Sequence, residues 1–136
     1  MIQRYLGKIS NPLLDRIDLH IEVAAVAYQE MRSRSTGASS AEMRGRVLEA
    51  RARQSDRGFV NANIPPGRLR EFCPLDEAGE RALEMAVRRL AFSARSHDRI
   101  LKVARTIADL GGKEQVEMKH IAEAVQYRSL DREYWK

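Results

Sequence analysis

The stretch SARSHDRILKVARTIADL, residues 93–110, decides the fold. Its apolar residues recur at steps of three and four, which is the spacing of one face of an amphipathic helix. Ser93 is suited to cap the first turn, and Gly111 with Gly112 supplies a stop signal after the last one. The pattern predicts a helix whose buried face consists of Ile100, Leu101, Ala104, Ile107 and Ala108.

Two further stretches repeat apolar residues at helical spacing. One follows Asp76, a residue suited to capping, and continues to Leu90. The other runs from about Met118 to Tyr127. Three helices can enclose a core, so the sequence predicts a three-helix domain over residues 61–136. The residues predicted to face inward in the last helix are Met118, Ile121, Ala122 and Val125.

An extra basic helix is predicted over residues 39–57. Ser39 and Glu42 have the spacing of a capping box, in which each side chain binds the backbone N–H of the other. Residues 32–57 hold seven arginines against three acidic residues, so most of the formal charge of +5 lies there. The apolar stripe is thin, which predicts a helix that packs by a narrow edge and leaves its arginines in water. Direct contact with DNA phosphates is the alternative, although no aromatic residue lies between Tyr28 and Phe59 to stack on bases.

Residues 17–23 alternate apolar and polar side chains. This period of two is typical of a half-buried strand. A single strand cannot satisfy its own backbone groups. We therefore expect it to pair with sequence outside this chain or with a second copy. The predicted divisions are 1–28 with the strand, 29–60 with the basic helix, and 61–136.

Composition favours a protein without a membrane partner. The chain has 136 residues, of which 43% are hydrophobic and 32% are charged. It contains no 18-residue apolar run and no apolar signal segment near its first residues, so we expect a cytoplasmic location. The single cysteine, Cys73, is predicted to be a buried apolar side chain. His20, His97 and His120 are too dispersed to predict a metal site.

Several motifs, in a consistent order, resemble the end of the core and the lid of the magnesium-chelatase-like AAA+ ATPases, and the ComM-type members in particular. They are LDRIDLHIEV (14–23), GASSAE (37–42), NAN (61–63), FCPLD (72–76), SAR (93–95) and AEAVQYRSLD (122–131). The resemblance covers nearly the whole chain. It implies a mainly α fold, in which one orphan β-strand and an extra basic helix precede a small helical bundle of the AAA+ lid type.

The resemblance also implies roles for two arginines. Arg16, in the Leu-Asp-Arg-Ile-Asp context, resembles an arginine finger that reaches the γ-phosphate of ATP in a neighbouring subunit. Arg95 resembles sensor 2, which contacts ATP phosphates from the lid. The alternatives are a surface Arg16 paired with Asp15 or Asp18, and an Arg95 on a solvated helix face. Arg105 is expected to pair instead with Asp109, four residues later.

No stretch fits the phosphate-loop pattern G-x-x-x-x-G-K-[ST]. We therefore expect no ATP hydrolysis and no cofactor in this chain alone, with ATP and magnesium used by a longer parent. The implied partners are an N-terminal AAA+ core and neighbouring subunits of a homo-oligomeric ring, with DNA as a further candidate. The implied function is the lid and finger segment of an ATPase that remodels DNA. The alternative function is a free-standing basic helical DNA-binding module.

Overall fold

The computed structural model describes residues 13, 16–21, 23–26, 28–32, 37–90 and 92–133. Two 3-10 turns, Asn61–Asn63 and Pro66–Arg68, precede the short α-helix Leu69–Phe72. The predicted mainly helical architecture is confirmed. The described residues form six helices: α1 Tyr28–Met31, α2 Ser40–Asp56, α3 Leu69–Phe72, α4 Glu77–Leu90, α5 Ala94–Leu110 and α6 Met118–Glu133.

Helix α5 lies at the centre of the bundle. It packs against α2, α3, α6 and the turn Asn61–Asn63, while α4 packs against α6. The apolar face predicted for residues 93–110 is confirmed, since Ile100, Leu101, Ala104 and Ala108 are all buried. The other buried members of the core are Ile64, Leu69, Cys73, Leu83, Val116, Ile121 and Ala124.

The predicted start of α4 and both predicted ends of α5 are also confirmed. The Ser93 hydroxyl accepts a hydrogen bond of 3.2 Å from the Ser96 N–H at the start of α5. Asp76 Oδ1 accepts one of 2.6 Å from the Gly79 N–H at the start of α4. Helix α5 ends at Leu110, and Gly112 adopts a φ of +68°. That left-handed conformation carries no penalty for glycine, and it turns the chain toward α6.

Helix α6 differs from its prediction in length and in its buried face. It continues beyond Tyr127 to Glu133. Met118 and Ala122 are exposed, not buried. The buried face instead includes two hydrogen-bonding residues, His120 and Arg128, beside Ile121 and Ala124. The predicted face is therefore right for Ile121, which is buried, and for Val125, which packs against the core, and wrong for Met118 and Ala122.

The strand predicted over residues 17–23 is not formed by its described residues. Residues 17–21 and 23 have no strand pairing, and Glu22 lies outside the described residues. The one β-bridge within the described part of the chain joins Leu75 to Val116. The segment 17–21 lies instead against the bundle, where the His20 N–H donates to Tyr127 O at 2.9 Å. A strand requires a ladder partner, and the described residues supply none for this segment.

Helix α2 follows its prediction closely. The capping box is present, with the Glu42 N–H 3.2 Å from Ser39 Oγ and the Ser39 N–H 2.6 Å from Glu42 Oε2. Only Ala50 and Gln54 are buried in this helix. Part of the connection before it, residues 33–36, lies outside the described residues. None of the described helices has both the length and the apolar composition needed to cross a bilayer.

Candidate functional site

Arg95 lies in the first turn of α5 and is exposed. No hydrogen bond or ion pair of its guanidinium is found among the described residues. Its position is fixed through the backbone, because the Ser93 cap begins the helix two residues earlier. The positive end of the helix dipole disfavours an arginine here by a few tenths of a kcal/mol. An anion bound at this end would offset that cost.

Arg16 is the second candidate side chain, and it is exposed as well. The alternative interpretation paired it with Asp15 or Asp18. Asp15 lies outside the described residues. Asp18 pairs with other cations, and among the described residues no partner of the Arg16 guanidinium is found. The exposed Arg16 side chain is therefore not paired with Asp18, and the pairing with Asp15 concerns a residue outside the described ones.

Arg99 joins these two regions. Its Nη1 donates to the backbone carbonyl of Arg16 at 2.6 Å and to Asp18 Oδ1 at 2.5 Å. Arg99 lies four residues after Arg95 on α5, which places the two side chains on the same side of the helix, one turn apart. One helix thus carries the exposed Arg95 and also holds the backbone next to the exposed Arg16.

Helix α6 supports the same segment. The Arg128 Nη1 lies 3.6 Å from Asp18 Oδ1 and donates to Ile17 O at 3.4 Å. The Arg128 side chain is only 2% exposed. Together with the bond from His20 to Tyr127, these contacts fix the backbone of residues 16–20 on α5 and α6. The sequence alone assigned no role to Arg99 or Arg128. Their partners lie more than 80 residues away along the chain, so no local residue spacing indicates these contacts.

A buried polar network sets the position of α2. The Asp109 carboxylate accepts from Arg105 Nε at 3.2 Å, from Asn61 Nδ2 at 2.7 Å and from Arg57. The Asn61 N–H in turn donates to Gln54 Oε1 at 3.0 Å. The predicted pair of Arg105 and Asp109 is confirmed, with a distance of 3.0 Å. The last turn of α2 is thereby attached to the central helix by hydrogen bonds rather than by a broad apolar face.

The remaining arginines of α2 form an exposed basic surface. Arg44, Arg46, Arg51 and Arg53 are all exposed, whereas Arg57 turns inward to Asp109. At 100° per residue, Arg44 and Arg51 share one side of α2, and Arg46 and Arg53 lie on roughly the opposite side. Such a distribution matches a solvated helix. It offers two separate cationic edges.

Other titratable groups do not assemble into a site among the described residues. Cys73 is buried, as predicted, and burial raises the pKa of its thiol to about 11. No set of three or more His, Cys, Asp or Glu side chains in the described part of the chain is placed to bind a metal ion. His97 Nδ1 lies 3.0 Å from Asp98 Oδ1 at the surface. Among the described residues, these groups provide no alternative to the two exposed arginines, Arg16 and Arg95.

The described residues thus form a small helical bundle whose central helix carries an exposed arginine in its first turn. Residues 37–128 match the protein family described as magnesium chelatase, subunit ChlI C-terminal. Residues 1–31 match the family described as magnesium chelatase, subunit ChlI. The chain therefore belongs to the magnesium chelatase ChlI C-terminal family, and it contains the helical lid of a magnesium-chelatase-like AAA+ protein.

Curated relatives resemble the chain over nearly its whole length. It is 41% identical over 133 residues to Competence protein ComM of Haemophilus influenzae, which covers 96% of the chain and 26% of that protein. It is 39% identical over 132 residues to uncharacterized protein YifB of Escherichia coli, which covers 95% of the chain and 26% of that protein. For uncharacterized protein Mb2921c of Mycobacterium bovis the identity is 35% over 131 residues, which covers 93% of the chain and 26% of that protein. The chain thus spans about a quarter of the length of these relatives.

Proposed function

We propose that this chain supplies the sensor-2 lid and the arginine-finger segment of a ring-forming AAA+ ATPase that couples ATP hydrolysis to DNA remodelling. Arg95 contacts the phosphates of ATP bound by its own subunit. Arg16 reaches the γ-phosphate of ATP in the neighbouring subunit. The partners are an ATP-binding core and further copies of the same protein, and the DNA substrate is inferred from the likeness to ComM-type proteins.

One observation carries this proposal. Arg16 and Arg95 are both exposed without a partner among the described residues, while Arg99 binds the backbone of Arg16 from the next turn of the helix that carries Arg95. A surface arginine that served only solubility would not need a fixed backbone. A planar guanidinium with five donors is suited to phosphate oxygens. A fixed backbone and an exposed guanidinium without a partner among the described residues, as at Arg16 and Arg95, support contacts with phosphate.

The chemistry expected of each arginine is different. A finger stabilises charge that develops on the transferring phosphoryl group, so its loss lowers kcat. A sensor arginine that touches ATP already in the ground state contributes to binding, so its loss raises KM. The described residues provide no carboxylate cluster for magnesium. In this proposal the magnesium ion that accompanies ATP is held by the ATP-binding core.

The test uses the full-length protein that contains these residues. Arg16→Ala should lower kcat by about three to five orders of magnitude, the range known for arginine fingers. Arg95→Ala should raise KM for ATP. The control is Arg81→Ala on α4, because Arg81 is exposed and its ion pair, with Glu77 at 2.6 Å, lies at the surface of that helix. Arg16→Ala turnover at the parental rate would contradict the finger assignment.

Mixed assemblies test whether Arg16 acts between subunits. Arg16→Ala subunits are combined with subunits whose phosphate loop, outside this chain, has been inactivated. Each type alone should be inactive. The mixture should regain part of the activity, because an intact finger then faces an intact nucleotide site at some boundaries. If the mixture stays inactive while both subunits assemble, Arg16 does not act on a neighbour.

A free-standing DNA-binding module is the second candidate, and the exposed arginines of α2 favour it. Binding through phosphates would weaken steeply with salt, because counterions are released. A titration of the chain with duplex DNA at two salt concentrations separates the candidates. Two results together would favour the module over the lid. The first is salt-sensitive DNA binding that Arg44→Gln and Arg51→Gln abolish. The second is an ATPase activity of the full-length protein that Arg16→Ala leaves unchanged.

A further inference from the structure

We propose that Asp18 anchors the Arg16 segment to the lid, with Arg99 and Arg128 as positioning residues that hold its carboxylate from two helices. The Arg16 segment comprises residues 16–20, and the anchor consists of the contacts that hold it on α5 and α6. Its consequence for activity rests on the proposed function, in which Arg16 acts as a finger.

The contact with Arg99 is the first support. A single guanidinium nitrogen bridges the Asp18 carboxylate and the carbonyl of Arg16, at 2.5 and 2.6 Å. The Arg99 side chain is 27% exposed and that of Asp18 50% exposed, so the pair is only partly screened by water. Hydrogen bonds to charged groups are stronger than neutral ones. The bridge therefore fixes both the side chain of Asp18 and the backbone two residues before it.

Arg128 provides the second support, from a different helix. Its side chain is buried in α6, and its Nη1 reaches Asp18 Oδ1 and the carbonyl of Ile17. Two cations from α5 and α6 thus converge on one carboxylate oxygen. Removing Asp18 would leave both guanidinium groups close together without the anion between them. The Asp18 carboxylate is thus the shared partner of both arginines.

The arrangement links two functional positions through one helix. Arg99 holds the backbone of Arg16, and Arg95 lies one turn earlier on the same helix. A displacement of α5 that follows contact between Arg95 and phosphate would be transmitted to the Arg16 segment through Arg99. The anchor therefore connects Arg95, which contacts the nucleotide of its own subunit, with Arg16, which acts on the nucleotide of the neighbouring subunit.

Amide hydrogen exchange on the chain itself tests the anchor without reference to activity. The reporter is the His20 N–H, which is bonded to Tyr127 O only while the segment lies on α6. Asp18→Asn and Arg99→Gln should each raise its exchange rate roughly five- to tenfold, because the segment opens more often. The matched control is Arg81→Gln, which removes an exposed ion pair elsewhere and should leave the His20 rate unchanged.

The double variant Asp18→Asn with Arg99→Gln adds a coupling test. Since both changes break the same contact, the double variant should exchange little faster than either single variant. Arg99→Lys keeps the charge and should restore part of the protection. Exchange at His20 that is unaffected by either single change, in a variant that stays folded by circular dichroism, would overturn the anchor.

Turnover of the full-length ATPase tests the consequence. Arg99→Gln should lower kcat with little change in KM, because it misplaces the finger and does not touch ATP. A general loss of fold would also reduce the helical signal in circular dichroism. If Arg16→Ala is harmless but His20 exchange responds, the anchor holds and the proposed function fails. If Arg16→Ala abolishes turnover but neither exchange nor kcat responds to Arg99→Gln, the anchor fails and the function stands.

Discussion

Arg105 and Asp109 form a buried ion pair within α5, with side chains 1% and 0% exposed and Nη2 3.0 Å from Oδ1. The guanidinium also donates to the carbonyls of Lys113 and Glu114, in the loop that leads to α6. The same carboxylate accepts from Arg57 at the end of α2. Five donor and acceptor groups from three parts of the chain thus meet at the last turns of the central helix. The pair fixes how α2, α5 and α6 join.

Asp109→Asn should therefore destabilise the fold strongly. The change removes the charge that balances two guanidinium groups, and breaking a buried pair costs about 3–5 kcal/mol. Urea denaturation followed by circular dichroism measures the free energy of unfolding. The control Arg81→Gln breaks an exposed pair on α4, which should cost less than about 1 kcal/mol. A loss below about 1 kcal/mol for Asp109→Asn would contradict the role given to the network.

Gly111 and Gly112 are adjacent, and only one of them needs to be glycine. Gly112 has a φ of +68°, whereas Gly111 has a φ of −84°. Gly112→Ala should cost roughly 1–2 kcal/mol, because a Cβ is strained in the left-handed region. Gly111→Ala would meet only ordinary contacts, at 3.5 and 3.6 Å, and should shift stability by within roughly 0.5 kcal/mol. Thermal unfolding of both variants provides the comparison, and equal losses would refute it.

Features that depend on local sequence were predictable. The Ser39 capping box, the Ser93 cap and the stripe of α5 follow from spacings of three and four residues, because neighbouring turns of a helix interact over those distances. The pairing of Arg105 with Asp109 follows from the same rule. Burial of Cys73 follows from residue type. The structure confirms each of these.

Features that depend on distant contacts were not predictable in the same way. The strand over residues 17–23 has the right alternation, but a strand also needs a partner, which no pattern in this sequence supplies. The face of α6 was predicted only in part. Ile121 and Val125 do face the core, but His120 and Arg128 form hydrogen bonds at buried positions that the apolar pattern does not indicate. Arg99 gives no local signal, since its acceptors lie 81 and 83 residues away. The roles of Arg16 and Arg95 remain predictions.

Cys73 should be unreactive in the folded protein. Burial raises the pKa of its thiol to about 11, and the thiolate is the reactive form. At pH 8 only about one thiol in a thousand would be ionised, and the buried sulfur is also shielded from reagents. Labelling with iodoacetamide, read by mass spectrometry, should therefore be slow in buffer and fast in denaturant. Rapid labelling of the native chain would show that the site opens or is not buried.

His120 gives the fold a pH dependence. Its side chain is buried, and its Nδ1 accepts the Glu117 N–H at 2.9 Å, which only the neutral ring can do. Burial lowers the pKa of His120 below its ordinary value of 6.5. At pH values between the lowered pKa of His120 in the folded state and 6.5, the unfolded chain binds more protons than the folded one. The stabilising contribution is thus complete above pH 6.5 and is lost as the pH falls through that window.

The matched variant is His120→Gln, because a glutamine at this third position of α6 can still accept the Glu117 N–H but does not titrate. We expect the free energy of unfolding of the parent to fall between pH 7 and pH 5.5 more steeply than that of the variant. Urea denaturation across this range measures both slopes. Carboxylates titrate mainly below it, and any that contribute affect both proteins. Parallel slopes would show that His120 does not titrate between the folded and unfolded states in this range.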